Sequence, residues 1–266
     1  MTQAILRHTI LAAALTGSVV AAQAATPAPS DDWQYALDIY GWFPTIGGSL
    51  KYPLPSGIVA EVDAGPDDYL QDLQFAFMGS FLARKGDWSI LADLIYLDLS
   101  GQTGKATVPR LPDGSGLDLN ADNSIKGTLF QVAGAYTVAR SENANLDVLL
   151  GLRYAGFDTD TDLSIEGPLP APLLTAHLSD SVNLVDGIIG VKGQVAWGGN
   201  WFSPYYLDIG TGDTEFTWQA LAGVGYRWDW GDLILAYRYL SYDMGSDKLL
   251  QDTDFSGPAL GVTFRF

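Results

Sequence analysis

Three groups of residues in this sequence have the types and spacing that chemistry needs. Asp158, Asp160 and Asp162 alternate with Phe157, Thr159 and Thr161. Carboxylates at every second position offer the hard oxygen ligands that a divalent cation such as calcium takes. The run lacks the Gly and the distal Glu of an EF-hand, so a solvated acidic loop competes with the cation site. His177 is the one histidine after His8, and Ser179 and Asp180 follow it closely. Histidine, hydroxyl and carboxylate are the parts of an activated nucleophile. Here they follow Pro168, Pro170 and Pro172 with no recognisable oxyanion donors, which favours an ordinary loop histidine. The third group is ten charges set among apolar residues: Asp38, Asp93, Asp147, Arg153, Asp186, Lys192, Asp208, Arg227, Arg238 and Arg265. Charges of both signs in such surroundings either neutralise one another or line a selective conduit.

The elements that position these groups begin with an export segment. Arg7-His8 precedes the apolar run Thr9 to Ala22, which ends at the small-residue triplet Ala22-Gln23-Ala24. That is the layout of a cleaved signal peptide over residues 1–24, followed by a Pro- and Ser-rich flexible leader over 25–32. Loss of Arg7 takes the formal charge from −17 to −18, and no basic cluster exists for nucleic acid to bind. Cysteine is absent, so disulfides, thiolate nucleophiles and Cys-ligated metals are excluded. The composition calls for no cofactor and gives no metal site beyond the weak acidic run.

No stretch after the signal holds 18 consecutive apolar residues, although hydrophobic residues make up 47% of the chain. Helical spans are therefore excluded, and apolar residues must be spread along strands. Phe216, Trp218, Ala220, Ala222, Val224, Tyr226 and Trp228 fall in one phase, with Thr217, Gln219, Gly223, Gly225 and Arg227 in the other. This period of two defines a strand. Comparable stretches are Trp33 to Phe43, Leu73 to Arg84, Trp88 to Leu99, Gly127 to Ala139, Leu146 to Phe157, Val182 to Trp197, Trp201 to Gly210, Leu233 to Tyr242 and Phe255 to Phe266. The expectation is an all-β, antiparallel up-and-down transmembrane barrel over 33–266, of ten strands. Ile46 to Tyr52 and Ile58 to Asp63 form either a hairpin above the membrane or a further spanning pair. Eight and twelve strands are therefore the alternatives.

Connection lengths alternate. Tight ones fall at Lys85-Gly86-Asp87, Arg140 to Asn145, Gly198-Gly199-Asn200 and Asp229 to Asp232. Long ones run Pro44 to Asp72, Ser100 to Lys126, Asp158 to Ser181 and Asp243 to Asp254, with Thr211 to Glu215 a short exception. Short periplasmic turns and long outer loops are the arrangement of an outer-membrane barrel. Trp33, Trp88, Trp197, Trp201, Trp228 and Trp230 lie by the termini or the short turns, the place of an interfacial girdle. If Phe266 faces lipid, the ten charges fall in the lumen phase. Met78, Leu82, Leu91, Leu149 and Phe157 share that phase and narrow the bore, so a self-satisfied charge network is favoured over a wide pore.

Leu260, Val262, Phe264 and Phe266 alternate with Gly261, Thr263 and Arg265 up to the last residue. This ending resembles the terminal strand of bacterial outer-membrane barrels. The resemblance implies that Phe264 and Phe266 form the signal read by the barrel-assembly machinery. It also implies the bacterial outer membrane as location, with membrane lipid and lipopolysaccharide as neighbours. The His177-x-Ser179 pair resembles an element of outer-membrane lipid A deacylases. Omptin proteases resemble the chain in their ten-stranded architecture, but no motif of theirs matches. The expected role is non-enzymatic: structural, adhesive or surface-interacting through acidic outer loops. A narrow channel or carrier for small solutes comes second, and a rim-located lipid or peptide hydrolase third.

Overall fold

The period-two alternation of apolar with small or polar residues produces strands along nearly the whole chain. In the computed structural model, residues 30–51, 59–102, 106–108, 117–166, 174–245 and 250–266 are described. The expected signal peptide at 1–24 and positions 25–29 of the leader lie outside them. The described elements are β1 (Gln34–Trp42), β2 (Thr45–Lys51), β3 (Val59–Ala64), α1 (Pro66–Tyr69), β4 (Leu73–Lys85), β5 (Trp88–Gln102) and β6 (Ala106–Val108). They continue with β7 (Leu117–Arg140), β8 (Ala144–Glu166), β9 (Leu174–Gly198), β10 (Trp201–Gly212), β11 (Phe216–Trp228), β12 (Gly231–Asp243) and β13 (Leu250–Arg265).

Ten of these strands, β1, β4, β5 and β7 to β13, pair antiparallel with their neighbours. Pairing of β1 with β13, from Ala36↔Arg265 to Trp42↔Ala259, closes the barrel and leaves its wall without an edge. The expected hairpin is β2 with β3, and it does not span. β2 continues along the upper part of β13, from Thr45↔Ser256 to Leu50↔Leu250, after a break at Phe43 and Pro44. Proline has no N–H for the ladder, which explains the break. The Tyr69 hydroxyl of α1 donates to the Pro44 carbonyl at 2.8 Å and fastens the helix over that break. Burial pushes this hydroxyl above the ordinary tyrosine range and keeps it a donor.

The short turns fall where Gly, Asn and Asp cluster. Gly86 and Gly199 have φ of +59° and +58°, a backbone conformation that only glycine adopts freely. The outer connections differ from the expectation. Much of Ser100 to Lys126 and Asp158 to Ser181 is strand rather than loop, because β7, β8 and β9 are 24, 23 and 25 residues long. A tilted span needs only about 9–11 residues. These three strands therefore rise well above the barrel wall as a sheet, with β6 paired to β7 at Ala106↔Leu119 to Val108↔Leu117. Ladder hydrogen bonds hold strands together outside lipid without an apolar face, so the apolar alternation ends before the strands do.

Inside and outside separate cleanly along β8. Val148, Leu150 and Leu152 are 38%, 69% and 55% exposed, whereas Leu149 is 1% and Arg153 0% exposed. All six expected girdle tryptophans are on the outer surface. They stack with other aromatics: Trp33 on Tyr35, Tyr35 on Phe266, Trp228 on Trp230, and Trp230 beside Phe264. Trp42 is instead buried in the lumen, and Trp218 stacks on Tyr239. Among the described residues no helix is long and apolar enough to cross a membrane. The crossing elements are the strands.

Candidate functional site

The lumen-phase charges meet in layers. Nearest the short turns, Asp232 accepts from Arg227 Nε at 3.2 Å and from Arg265. Asp147 accepts from Arg84, from the Thr137 hydroxyl at 2.7 Å and from Asn145 Nδ2 at 3.0 Å, while Lys192 Nζ stands 3.9 Å away. Higher up, Asp38 accepts from the Ser80 and Thr263 hydroxyls, which sit opposite it on β4 and β13. Across the bore, Arg238 Nη2 donates to Asp93 at 3.0 Å and to Gln219 Oε1 at 2.8 Å, and Tyr40 donates to Asp93 at 2.6 Å.

The deepest pair is Arg153 with Asp208. Arg153 also donates to Gln131 Oε1 and Thr217 Oγ1, and Tyr206 donates to Asp208. Asp186 stands apart: its Oδ1 accepts from the Thr214 backbone N–H at 3.0 Å and hydroxyl at 2.9 Å. This contact holds the short outer turn between β10 and β11, which explains the exception at Thr211 to Glu215. Sequence reasoning missed two partners, Arg84 and Asp232. Arg84 shares the inward phase with Met78 and Leu82, and Asp232 was assigned to a turn although β12 already begins at Gly231. Strand parity within Leu73 to Arg84 is enough to find Arg84, and carrying the parity of Leu233 to Tyr242 back by one residue finds Asp232.

Among the described residues the interior charges balance. Arg84, Arg153, Lys192, Arg227, Arg238 and Arg265 stand against Asp38, Asp93, Asp147, Asp186, Asp208 and Asp232. Balance of this kind suits a low-dielectric interior, where an unpaired ion is costly. Above the network an apolar cluster occupies the bore: Trp42, Met78, Ile95, Leu129, Ala155, Leu184, Leu240, Tyr242, Met244 and Ala259. Phe157 packs against it and stacks on Phe255. The Arg238 guanidinium lies 4.8 Å from the Trp42 ring centre and joins the cluster to the network. Leu149 is buried in a second cluster with Ala133, Ala135 and Ile188. Two cavities persist below the upper cluster. One, of about 240 Å³, is lined by Tyr40, Leu91, Asp93 and Arg238 among others. The other, of about 310 Å³, lies toward the end with the short turns, beside Leu82, Arg84, Lys192 and Arg265. Asp38, Tyr206, Leu221 and Ile234 border both.

The remaining candidate residues lie on the raised sheet, in strands rather than loops. Asp158, Asp160 and Asp162 pair with Ser181, Ser179 and His177 across β9, and with Lys126, Ser124 and Asp122 across β7. Asp158, Asp160 and Ser179 are exposed. An extended strand spaces alternate residues roughly 6.6 Å apart, so its backbone does not curl carboxylates around one ion as a calcium loop does. Among the described residues no group of three His, Cys, Asp or Glu is placed to hold a metal. Positions 177 and 179 are in phase along β9 and position 180 is out of phase, so the strand does not bring His177, Ser179 and Asp180 to one face.

No protein-family model and no curated protein matches the sequence. Among solved structures, the outer-membrane protease OmpT from Escherichia coli superposes with a TM-score of 0.53 at 9% identity, over 91% of this chain and 99% of that one. The translocator domain of the autotransporter NalP from Neisseria meningitidis gives 0.42 at 16% identity, over 88% of each chain. The attachment invasion locus protein Ail of Yersinia pestis gives 0.37 at 11% identity, over 88% of this chain and 99% of that one. The first likeness shows a common barrel fold; at such identity it transfers no activity.

Proposed function

We propose that this chain, a ten-stranded barrel of the bacterial outer-membrane class, is a closed, non-enzymatic scaffold. It holds an acidic sheet outside the cell for interaction with cationic partners. It reaches the outer membrane through a cleaved signal peptide, and Phe264 and Phe266 present the last strand to the assembly machinery. The observation that carries this reading is the change of chemistry along the outward face of β8. Leu150 and Leu152 give way to exposed Asp158 and Asp160 on a strand that runs on to Glu166. In the same extension the backbone register sets Asp122 opposite Asp162 and Asp118 opposite Glu166, so acidic positions gather there. A polycationic surface, or divalent cations bridging to lipopolysaccharide phosphates, would complement such a surface. The two lumen cavities favour a second reading as a small-solute carrier, which the apolar cluster above them opposes.

Retention of polylysine-coated beads by cells displaying the protein tests the first reading. A variant with Asp158, Asp160 and Asp162 all changed to Asn should retain several-fold fewer beads at equal surface expression, and added salt should erase the difference. Equal retention by both forms would overturn the interaction role.

A further inference from the structure

The 310 Å³ cavity at the periplasmic end contains donors without acceptors. Lys192 lines it, yet among the described residues its ammonium makes no hydrogen bond; its nearest carboxylate is Asp147 at 3.9 Å. That carboxylate is already held by three other donors, Arg84, Thr137 and Asn145. Two residues along the same strand and in the same inward phase, Gln194 accepts from Arg227 through Oε1 at 3.4 Å, and its buried Nε2 has no partner. A buried donor left unmade is costly, so the Gln194 amide, with the half-buried Lys192 ammonium beside it on the same wall, marks a place for an acceptor.

The charges of the lining narrow the choice of donor. Arg84, Lys192 and Arg265 stand there against Asp38, Asp147 and Asp232, and whereas Arg84 and Arg265 are hydrogen-bonded to Asp147 and Asp232, Lys192 comes no nearer to a carboxylate than 3.9 Å. The rest of the lining includes Leu82, Phe202, Leu221 and Ile234, which suit an apolar body and not a bare, strongly hydrated ion. The volume is at the small end of the roughly 300–1,000 Å³ range of ligand pockets. The cavity reaches the rim where the Arg265 side chain is 38% exposed, while the Trp42 cluster closes the opposite end.

We infer that this vestibule binds a small monocarboxylate with a short apolar body, taken from the periplasm, its carboxylate accepting from Lys192 Nζ and Gln194 Nε2. The site needs no conduction through the barrel and does not depend on the outer acidic sheet.

Calorimetric titration of the full-length protein in a non-ionic detergent tests this, with benzoate, benzyl alcohol and inorganic phosphate as probes. Benzoate should saturate at one per chain and bind at least tenfold more tightly than either of the others. Lys192→Met should weaken benzoate at least tenfold, Gln194→Leu several-fold, and Lys192→Arg much less. Lys192→Met removes a charge without stranding Asp147, which keeps Arg84, so heat-modifiable gel mobility should be preserved. If that variant nevertheless fails to fold, the three probes on the wild-type protein and the Gln194→Leu titration decide. Absence of saturable benzoate binding, equal binding by the variants, or tighter binding of phosphate or benzyl alcohol would each overturn the assignment.

Discussion

Arg153 on β8 and Asp208 on β10 form an ion pair with both side chains fully buried, although β9 lies between their strands. The pair therefore bridges the wall from inside. Gly190 of β9, opposite Asp208, permits the approach, because a Cβ there would lie 2.7 Å from the Asp208 Cβ. Removing Arg153 leaves a buried carboxylate without its cation, a change that costs about 3–5 kcal/mol. Arg153→Leu should accordingly lower the guanidinium midpoint for loss of the folded band in vesicles. The Arg153→Leu/Asp208→Leu double variant should recover much of the loss, since an apolar replacement of both partners is often near neutral. A double variant as unstable as the single one would contradict this account of the network.

The outward face of β8 tests the membrane boundary. Leu150→Arg puts a charge in the apolar belt and should destabilise the protein by about 2–4 kcal/mol in vesicles. Asp160→Arg, on the same strand face but above the belt, should change stability by less than about 0.5 kcal/mol. Refolding titrations of the two variants should separate clearly. Equal costs would place the boundary elsewhere.

Gly225 tests the packing of the half nearer the short turns. A Cβ there would come within 2.3 Å of the Phe202 ring, itself buried and facing the Arg227 guanidinium at 4.7 Å. Gly225→Ala should cost about 1–3 kcal/mol through overpacking. Adding Phe202→Leu should return part of that cost, measured by the same unfolding midpoint.

The half of the molecule at the short turns is legible because several signals coincide there. Gly86, Gly198 and Gly199 mark turns, six tryptophans mark the interface, and strand parity puts Arg227, Arg238 and Arg265 inside. The outer half was less so. Alternation of apolar residues identifies Gly127 to Ala139 and Leu146 to Phe157, whereas β7 and β8 run Leu117–Arg140 and Ala144–Glu166. Beyond lipid the outward face becomes Asp and Thr, and a paired strand there resembles a polar loop in composition. His177 and the acidic run were misplaced into loops for this reason. The partners of the lumen charges were beyond sequence reasoning for another: Arg153 and Asp208 stand 55 residues apart, and only closure of the barrel brings them together.

Single-channel recording in planar bilayers tests the closed scaffold most directly. The wild-type protein should give no discrete conductance steps, because the Trp42, Met78 and Leu240 side chains fill the bore above the charge network. A Trp42→Ala/Met78→Ala/Leu240→Ala variant, if folded by gel mobility, should give small steps. Stable, ion-selective steps from the wild-type protein would contradict the closed barrel.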